Sequence, residues 1–427
     1  MRILWLCNII PGTVQQAIDG SAGNGLWIDH TLEDLICVPH TTLRVLCRGP
    51  RAAQGTVNEH LSYRVFEEPV MHRYEASLEP LFRQELRQFK PDIIHIWGTE
   101  YSHTLAMLRI CRTEGLLDRT AVGIQGLCGI CGKHYGEGLP ASALRGFSLR
   151  DLLRMDNVTM QRRHYLQRGH MENAALAITK HVLGRTHWDE AAAKMLSPQA
   201  QYHYCGETLR QCFYSGSWQY GACQKHSIFA SGPDTPIKGF HHLLEAMTLV
   251  LKQYPDACIS VPGPDIFRAS GRARLLEQTY HRYLRRYAAK HGLTDHVRFL
   301  GRLNAEQMKQ AFLNANVFVL PSVMDNSPNV LGEAMLLGLP CIAADVGGVA
   351  SLLHAPEEGL LYQASAPYVL AQDICRVFAM EEGASAMGLA ARKRAEATHA
   401  PAQNLDTLLN IYRSLSRTDG NEQDLST

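Results

Sequence analysis

At 427 residues, 46% of them apolar and 19% charged, the chain is too long for one ordinary core and too apolar for wholesale disorder. Cations and acids nearly cancel, 42 against 41, which removes any global attraction to nucleic acid. No apolar run approaches the ~18–20 residues that a bilayer span requires. Twelve cysteines are scattered through a chain whose first residues lack a secretory cleavage pattern, so they read as reduced thiols of a cytoplasmic protein.

From the N-terminus, short apolar runs at 3–10, 43–47, 93–96, 122–124 and 175–178 are bounded by polar or glycine-rich stretches. Buried parallel strands have this appearance, because helices cover both faces of their sheet. Helical patterns at 27–35 and 103–111 lie between them, giving an α/β alternation. The alternation restarts after residues 218–225, with strands expected at 227–231, 258–261, 297–300, 317–320 and 341–344. The helices between them are expected near 239–252, 272–290, 304–314 and 328–337. Asn304 with Gln307 three residues on forms a capping-box pattern. Pro328 at the start of the last helix and Gly338 with Pro340 at its end set its limits.

The expected fold is therefore α/β, with two successive doubly wound, Rossmann-like domains facing a central cleft. Residues 1–221 would form an acceptor-binding domain and 222–399 a donor-binding domain. A helix over 400–417 would pack back on the first domain, and 418–427 would be a disordered tail. Ligands of such sheets bind outside the carboxyl ends of the strands, where helix N-termini offer free N–H groups and a positive dipole end.

Residues 316–348, NVFVLPSVMDNSPNVLGEAMLLGLPCIAADVGG, carry the chemistry. A buried strand ends at Pro321-Ser322, a polar loop holds Asp325 and Ser327, and Glu333 lies within the helix that follows. The N–H groups of Asn329, Val330 and Leu331 are expected to be unpaired first-turn donors, suited to a pyrophosphate. Asp325 could then accept from sugar hydroxyls and Glu333 from a ribose. A carboxylate beside an anion is unfavourable unless it faces hydroxyls, so the set suits a nucleotide sugar better than free phosphate.

This segment resembles the donor site of glycosyltransferase family 4, retaining enzymes of GT-B fold. The resemblance rests on Pro321, Ser322, Glu333, Ala334, Met335, Gly338, Pro340, Asp345, Gly347 and Gly348. The first of the family's two acids is Asp325 rather than Glu, one methylene shorter. Residues 227–247 extend the likeness through Gly232 and Lys238, the latter matching the lysine that holds the donor phosphates. The arginine usual after that glycine is replaced by Pro233, and Ser351 stands where a Glu often follows the Gly-Gly pair. In the first domain the likeness is weaker. Gly23 and Gly25 match a loop that approaches the donor diphosphate, Gln125 stands where many members have a His, and Arg185 lies where that domain closes on the cleft. For Arg185 an anionic ligand and a structural salt bridge are equally open, and His95 reads as structural rather than catalytic.

The resemblance implies transfer of a sugar from a nucleoside diphosphate donor to a hydroxyl of a glycan or lipid-linked glycan, with anomeric configuration retained, in bacterial surface polysaccharide assembly. Asp325, Lys238 and Glu333 would form the catalytic set. No cofactor and no metal are expected, because protein cations and dipoles can stabilise the departing diphosphate. An epimerase or phosphorylase on the same fold, or an inactive sugar-nucleotide-binding protein, are the alternatives. Cys128 and Cys131 form a lone CxxC and read as small residues of a glycine-rich loop. Residues 141–168 interleave six arginines with leucines, Phe147 and Met155 in an amphipathic pattern, compatible with a solvated surface or with peripheral contact at the inner face of a membrane.

Overall fold

A computed structural model describes residues 1–21, 27–68 and 70–416. The expected glycines Gly23 and Gly25 and the tail 418–427 lie outside these residues. The chain divides into two compact units. The first comprises 1–130, 165–209 and the stretch from His399, and the second comprises 131–164 and 210–398.

The first unit is built on an eight-stranded sheet. Its strands are β1 (Arg2–Cys7), β2 (Thr42–Arg48), β3 (Ala53–Asn58), β4 (Leu61–Phe66), β5 (Ile93–Trp97), β6 (Thr120–Gly123), β7 (His181–Gly184) and β8 (Gln201–Tyr204). They lie in the order β3-β4-β2-β1-β5-β6-β7-β8, and β3 alone runs antiparallel, as a hairpin with β4. Strand β1 shows why its sequence reads as an unbroken apolar run. Ile3, Trp5 and Cys7 point into one hydrophobic cluster, and Leu4 and Leu6 into another on the opposite face. Each such buried side chain contributes about 1.5–3 kcal/mol. The terminal helix Pro401–Ser416 closes the first of these faces with Leu408, Leu409 and Tyr412. The Tyr412 hydroxyl accepts from Trp5 Nε1 at 3.0 Å and meets His95 Nδ1 at 2.6 Å. His95 is fully buried, stacks on Trp97, and is driven by burial down to about 3, so it stays neutral. It is a core residue.

The second unit holds a six-stranded parallel sheet of order β11-β10-β9-β12-β13-β14. Its strands are β9 (Ser227–Ala230), β10 (Cys258–Val261), β11 (Val297–Phe299), β12 (Val317–Leu320), β13 (Cys341–Ala344) and β14 (Leu360–Tyr362). The Asn304/Gln307 capping box is formed in both directions and opens the helix Ala305–Asn314.

Two expected elements fail. The apolar run at 175–178 is not a strand; its first two residues complete the long helix Val158–Leu176, and the strand follows at β7. A short apolar run has no period that separates a strand from a buried helical turn. The expected helix 272–290 is broken into Gly271–Leu275 and Thr279–Lys290. The hairpin β3–β4 and the edge strands β8 and β14 were not anticipated, being short or mixed in polarity. The segment 131–164 also groups with the second unit although it precedes the expected domain boundary.

Candidate functional site

The second unit gathers most of the expected donor residues at the carboxyl edge of its sheet. Strand β12 is followed by Pro321 and Ser322, both buried, and Asp325 lies in the loop before the helix Asn329–Leu336. Two glycines elsewhere shape this loop. Gly347 has φ +54°, and a Cβ there would fall 2.0 Å from the Asp325 carbonyl oxygen. The next N–H, of Gly348, donates to that oxygen at 3.1 Å. Only glycine permits the approach and the backbone angle together. The Asp-x-Gly-Gly pattern is thus the clamp that holds the Asp325 loop.

Gly239 does the same for Lys238. It has φ +67°, and a Cβ there would sit 1.8 Å from the Pro321 carbonyl oxygen, so the Lys-Gly turn rests directly on the end of β12. A backbone bond from Val323 N–H to Ile237 O at 2.8 Å locks the two segments. The consequence is an ion pair between residues 87 apart in sequence, with Lys238 Nζ 2.9 Å from Asp325 Oδ2. Ser322 Oγ donates to the same oxygen at 3.2 Å. Asp325 raises the pKa of the Lys238 ammonium above the usual lysine value, outweighing the opposing effect of burial. The lysine side chain keeps 39% of its surface and the carboxylate 13%, so the pair is reachable from solvent.

Glu333 sits deeper. It is 3% exposed and held by both arms of Arg210, with Nε at 2.6 Å from Oε1 and Nη2 at 2.7 Å from Oε2. Burial pushes its carboxyl above the usual glutamate value, and the guanidinium opposes that push. Arg210 was not anticipated. It lies in an irregular segment of no recognisable period, and only the folded chain brings it to Glu333.

The remaining expected residues fall as follows. Pro328 is the residue before the first helical turn rather than inside it. Leu331 N–H already donates to Pro328 O at 2.9 Å and the residue is buried, so it is not the open donor that was expected. Ser327, Asn329 and Val330 do lie at this helix start, where the dipole favours an anion. Gly232 follows β9, and a Cβ there would approach the Pro262 carbonyl oxygen to 2.7 Å. Arg185 belongs to the first unit and is 8% exposed. Its guanidinium is ion-paired with Glu207, whose carboxylate also accepts from Gln125 Nε2 at 3.0 Å. Both charges of this pair are buried. Gln125 is spent on the same carboxylate. Cys128 is buried beside the close crossing of Gly129 and Gly169, where a Cβ on Gly169 would reach 2.4 Å from the Gly129 Cα. Among the described residues no cluster of three or more His, Cys, Asp or Glu is placed to hold a metal.

Parallel-rich sheets in two successive units, with a Lys–Asp pair and a glycine-clamped loop at the carboxyl edge of the second, define a GT-B fold. Residues 223–394 match the family model described as Glycosyl transferases group 1. A putative glycosyltransferase of Bacillus subtilis, YtcC, is 33% identical over 46% of this chain and 47% of its own length. The D-inositol 3-phosphate glycosyltransferase of Streptomyces avermitilis is 32% identical over 40% of this chain and 35% of its own length. The chain thus spans about half, or less, of these curated relatives. Among solved structures, sucrose-phosphate synthase from Thermosynechococcus elongatus superposes with a TM-score of 0.69 at 18% identity, covering 97% of this chain and 99% of that one. Anabaena HepE in complex with UDP-glucose superposes with a TM-score of 0.65 at 17% identity, covering 97% and 100%.

Proposed function

We propose that the chain transfers a sugar from a nucleoside diphosphate sugar to an acceptor hydroxyl of a glycan or lipid-linked glycan, with anomeric configuration retained, as a family 4 enzyme of surface polysaccharide assembly. The observation that carries the reading is the Lys238–Asp325 pair, seated beside a helix start and held by two glycines that no side chain could replace. The group 1 match and the UDP-glucose bound by a protein of the same fold support a sugar nucleotide as the ligand.

In this reading the resting pair opens when the donor arrives. Lys238 turns to the diphosphate, where its charge grows in value as the leaving group forms. Asp325 is released to accept from sugar hydroxyls. Glu333, oriented by Arg210, keeps lone pairs for the ribose, since each carboxylate oxygen can accept twice. The start of the helix Asn329–Leu336 adds N–H groups and its dipole to the phosphates. The protein's own cation and dipole neutralise the leaving group.

The test is a panel of nucleotide sugars with and without acceptor. Diphosphate release that depends on acceptor, with a product of the donor's anomeric configuration by proton NMR, is the expected result. Release or isomerisation of the donor with no acceptor present would point to an epimerase, and an inverted anomer would sink the retaining assignment.

A further inference from the structure

The large apolar side chains left outside the cores are unevenly spread. Phe147, Leu149, Leu152, Leu153 and Met155 fall within one short segment and are 49, 45, 59, 71 and 55% exposed. The helix Leu149–Arg154 at its centre is well defined. Ser148 and Asp151 form a capping box, with Asp151 N–H donating to Ser148 Oγ at 3.0 Å and Ser148 N–H to Asp151 Oδ2 at 3.2 Å.

Leu149, Leu152 and Leu153 stand at i, i+3 and i+4, a spacing that ordinarily marks the face a helix turns to its core. Here the polarity is reversed. The inward residue is Asp151, 1% exposed, which accepts from the Thr279 N–H at 3.0 Å and from the Thr279 hydroxyl. Asn157 Nδ2 donates to Gly146 O at 3.1 Å and Thr159 Oγ1 to Leu144 O at 2.7 Å, pinning the flanks. The segment is fastened by its polar side, and its leucines face outward.

Exposed arginines flank it along the chain. Arg145, Arg154 and Arg163 are exposed. The short helix Gly271–Leu275 ends four residues before Thr279, within ~14 Å of extended chain. It adds exposed Arg272, Arg274 and a 60% exposed Leu275. The acids of these stretches are already engaged. Asp156 accepts from Arg150 at 2.9 Å, and Glu277 from Arg282 at 3.2 Å and Arg285 at 2.8 Å. Of the six arginines in 141–168, Arg150 and Arg162 are tied to local acceptors and Arg168 belongs to the first unit, so the basic surface is narrower than the sequence pattern suggested.

We propose that this face of the second unit rests on an anionic phospholipid membrane. Phe147 and the leucines enter the headgroup boundary, and the arginines meet the lipid phosphates around them. The proposal goes beyond glycosyl transfer and does not depend on it, because binding is measured with no sugar nucleotide present.

The experiment is co-sedimentation of the full chain with vesicles of phosphatidylcholine mixed with phosphatidylglycerol, against vesicles of phosphatidylcholine alone. Binding to the mixed vesicles only, weakened by salt, is expected. Leu152→Ser with Leu153→Ser should lower the affinity at least about tenfold, and Arg272→Gln or Arg274→Gln roughly fivefold each. Leu153→Trp should give a blue-shifted emission on the mixed vesicles alone. Failure of the wild type to sediment with them, or sedimentation unchanged in the leucine variant, overturns the proposal. So does a wild-type dimer that the leucine variant abolishes, since the face would then serve self-association.

Discussion

Two groups of acids, one in each unit, are held in opposite ways. At the carboxyl edge of the second unit, Asp325 has Lys238 and Glu333 has Arg210, each at salt-bridge distance. In the first unit, Glu172 is 1% exposed and is met by neutral donors: the Thr99 hydroxyl at 2.8 Å and the N–H groups of Cys128 and Gly129 at 3.3 and 3.2 Å. Burial pushes it from 4.5 up to about 7, and the nearby Glu100 carboxylate adds to the rise. Glu100 is itself raised by burial, against the pull of Arg168. An acid held by a cation can exchange that partner for a ligand. At Glu172 those donors favour the charged form, and burial outweighs them.

The largest effect that would break this contrast is at Asp325. Asp325→Asn keeps the shape but replaces one acceptor oxygen with a donor. Transfer should fall on the order of 100-fold, with nucleoside diphosphate affinity nearly unchanged. Steady-state kinetics across several donors with calorimetry for the diphosphate provide the check, and a wild-type rate in the Asn variant would remove Asp325 from the sugar.

Next is the deeper pair. Glu333→Gln leaves a mostly buried Arg210 without its charge partner and should lower the unfolding free energy by about 2–3 kcal/mol. Donor affinity should fall as well. Urea titration separates the two effects from each other, and a Gln variant as stable as wild type would show that the Arg210 contact contributes little.

Lys238→Ala should depress turnover roughly 10-fold or more while changing the donor's Michaelis constant less, because the charge it opposes develops in the transition state. A variant with weaker donor binding and normal turnover would restrict Lys238 to the ground state.

The last effect lies in the first unit and appears as a slope. Glu172 has a raised folded pKa, so between its ordinary 4.5 and about 7 the native state holds a proton that the unfolded chain releases. Its contribution to stability therefore declines as pH rises through that window, at no more than ~1.4 kcal/mol per unit, and is flat above it. Glu172→Gln lacks this titration, so its stability relative to wild type should improve from pH 4.5 to 7. Denaturant midpoints at several pH values test the sign. A constant difference would mean that folding does not raise the Glu172 pKa.

How much of this was legible without the fold differs between the two units. In the second, the strands at 258–261, 317–320 and 341–344 coincide with β10, β12 and β13, and Lys238, Asp325 and Glu333 stand out through their neighbours. In the first, the run at 175–178 misled, and the hairpin β3–β4 went unseen because its strands alternate in burial only against a partner. The sequence by itself determined the α/β rhythm and the identity of the charged residues beside glycines. Both are local properties, set by side-chain period and by backbone angles that few residues adopt. Only the tertiary structure decided which charges meet. Arg210 reaches Glu333 across 123 residues, and Arg185 meets Glu207. The orientation of the helix Leu149–Arg154 was decided the same way, since Thr279 claims its aspartate and turns the leucines outward. Pairings of that kind depend on which segments pack together, and no spacing along the chain encodes them.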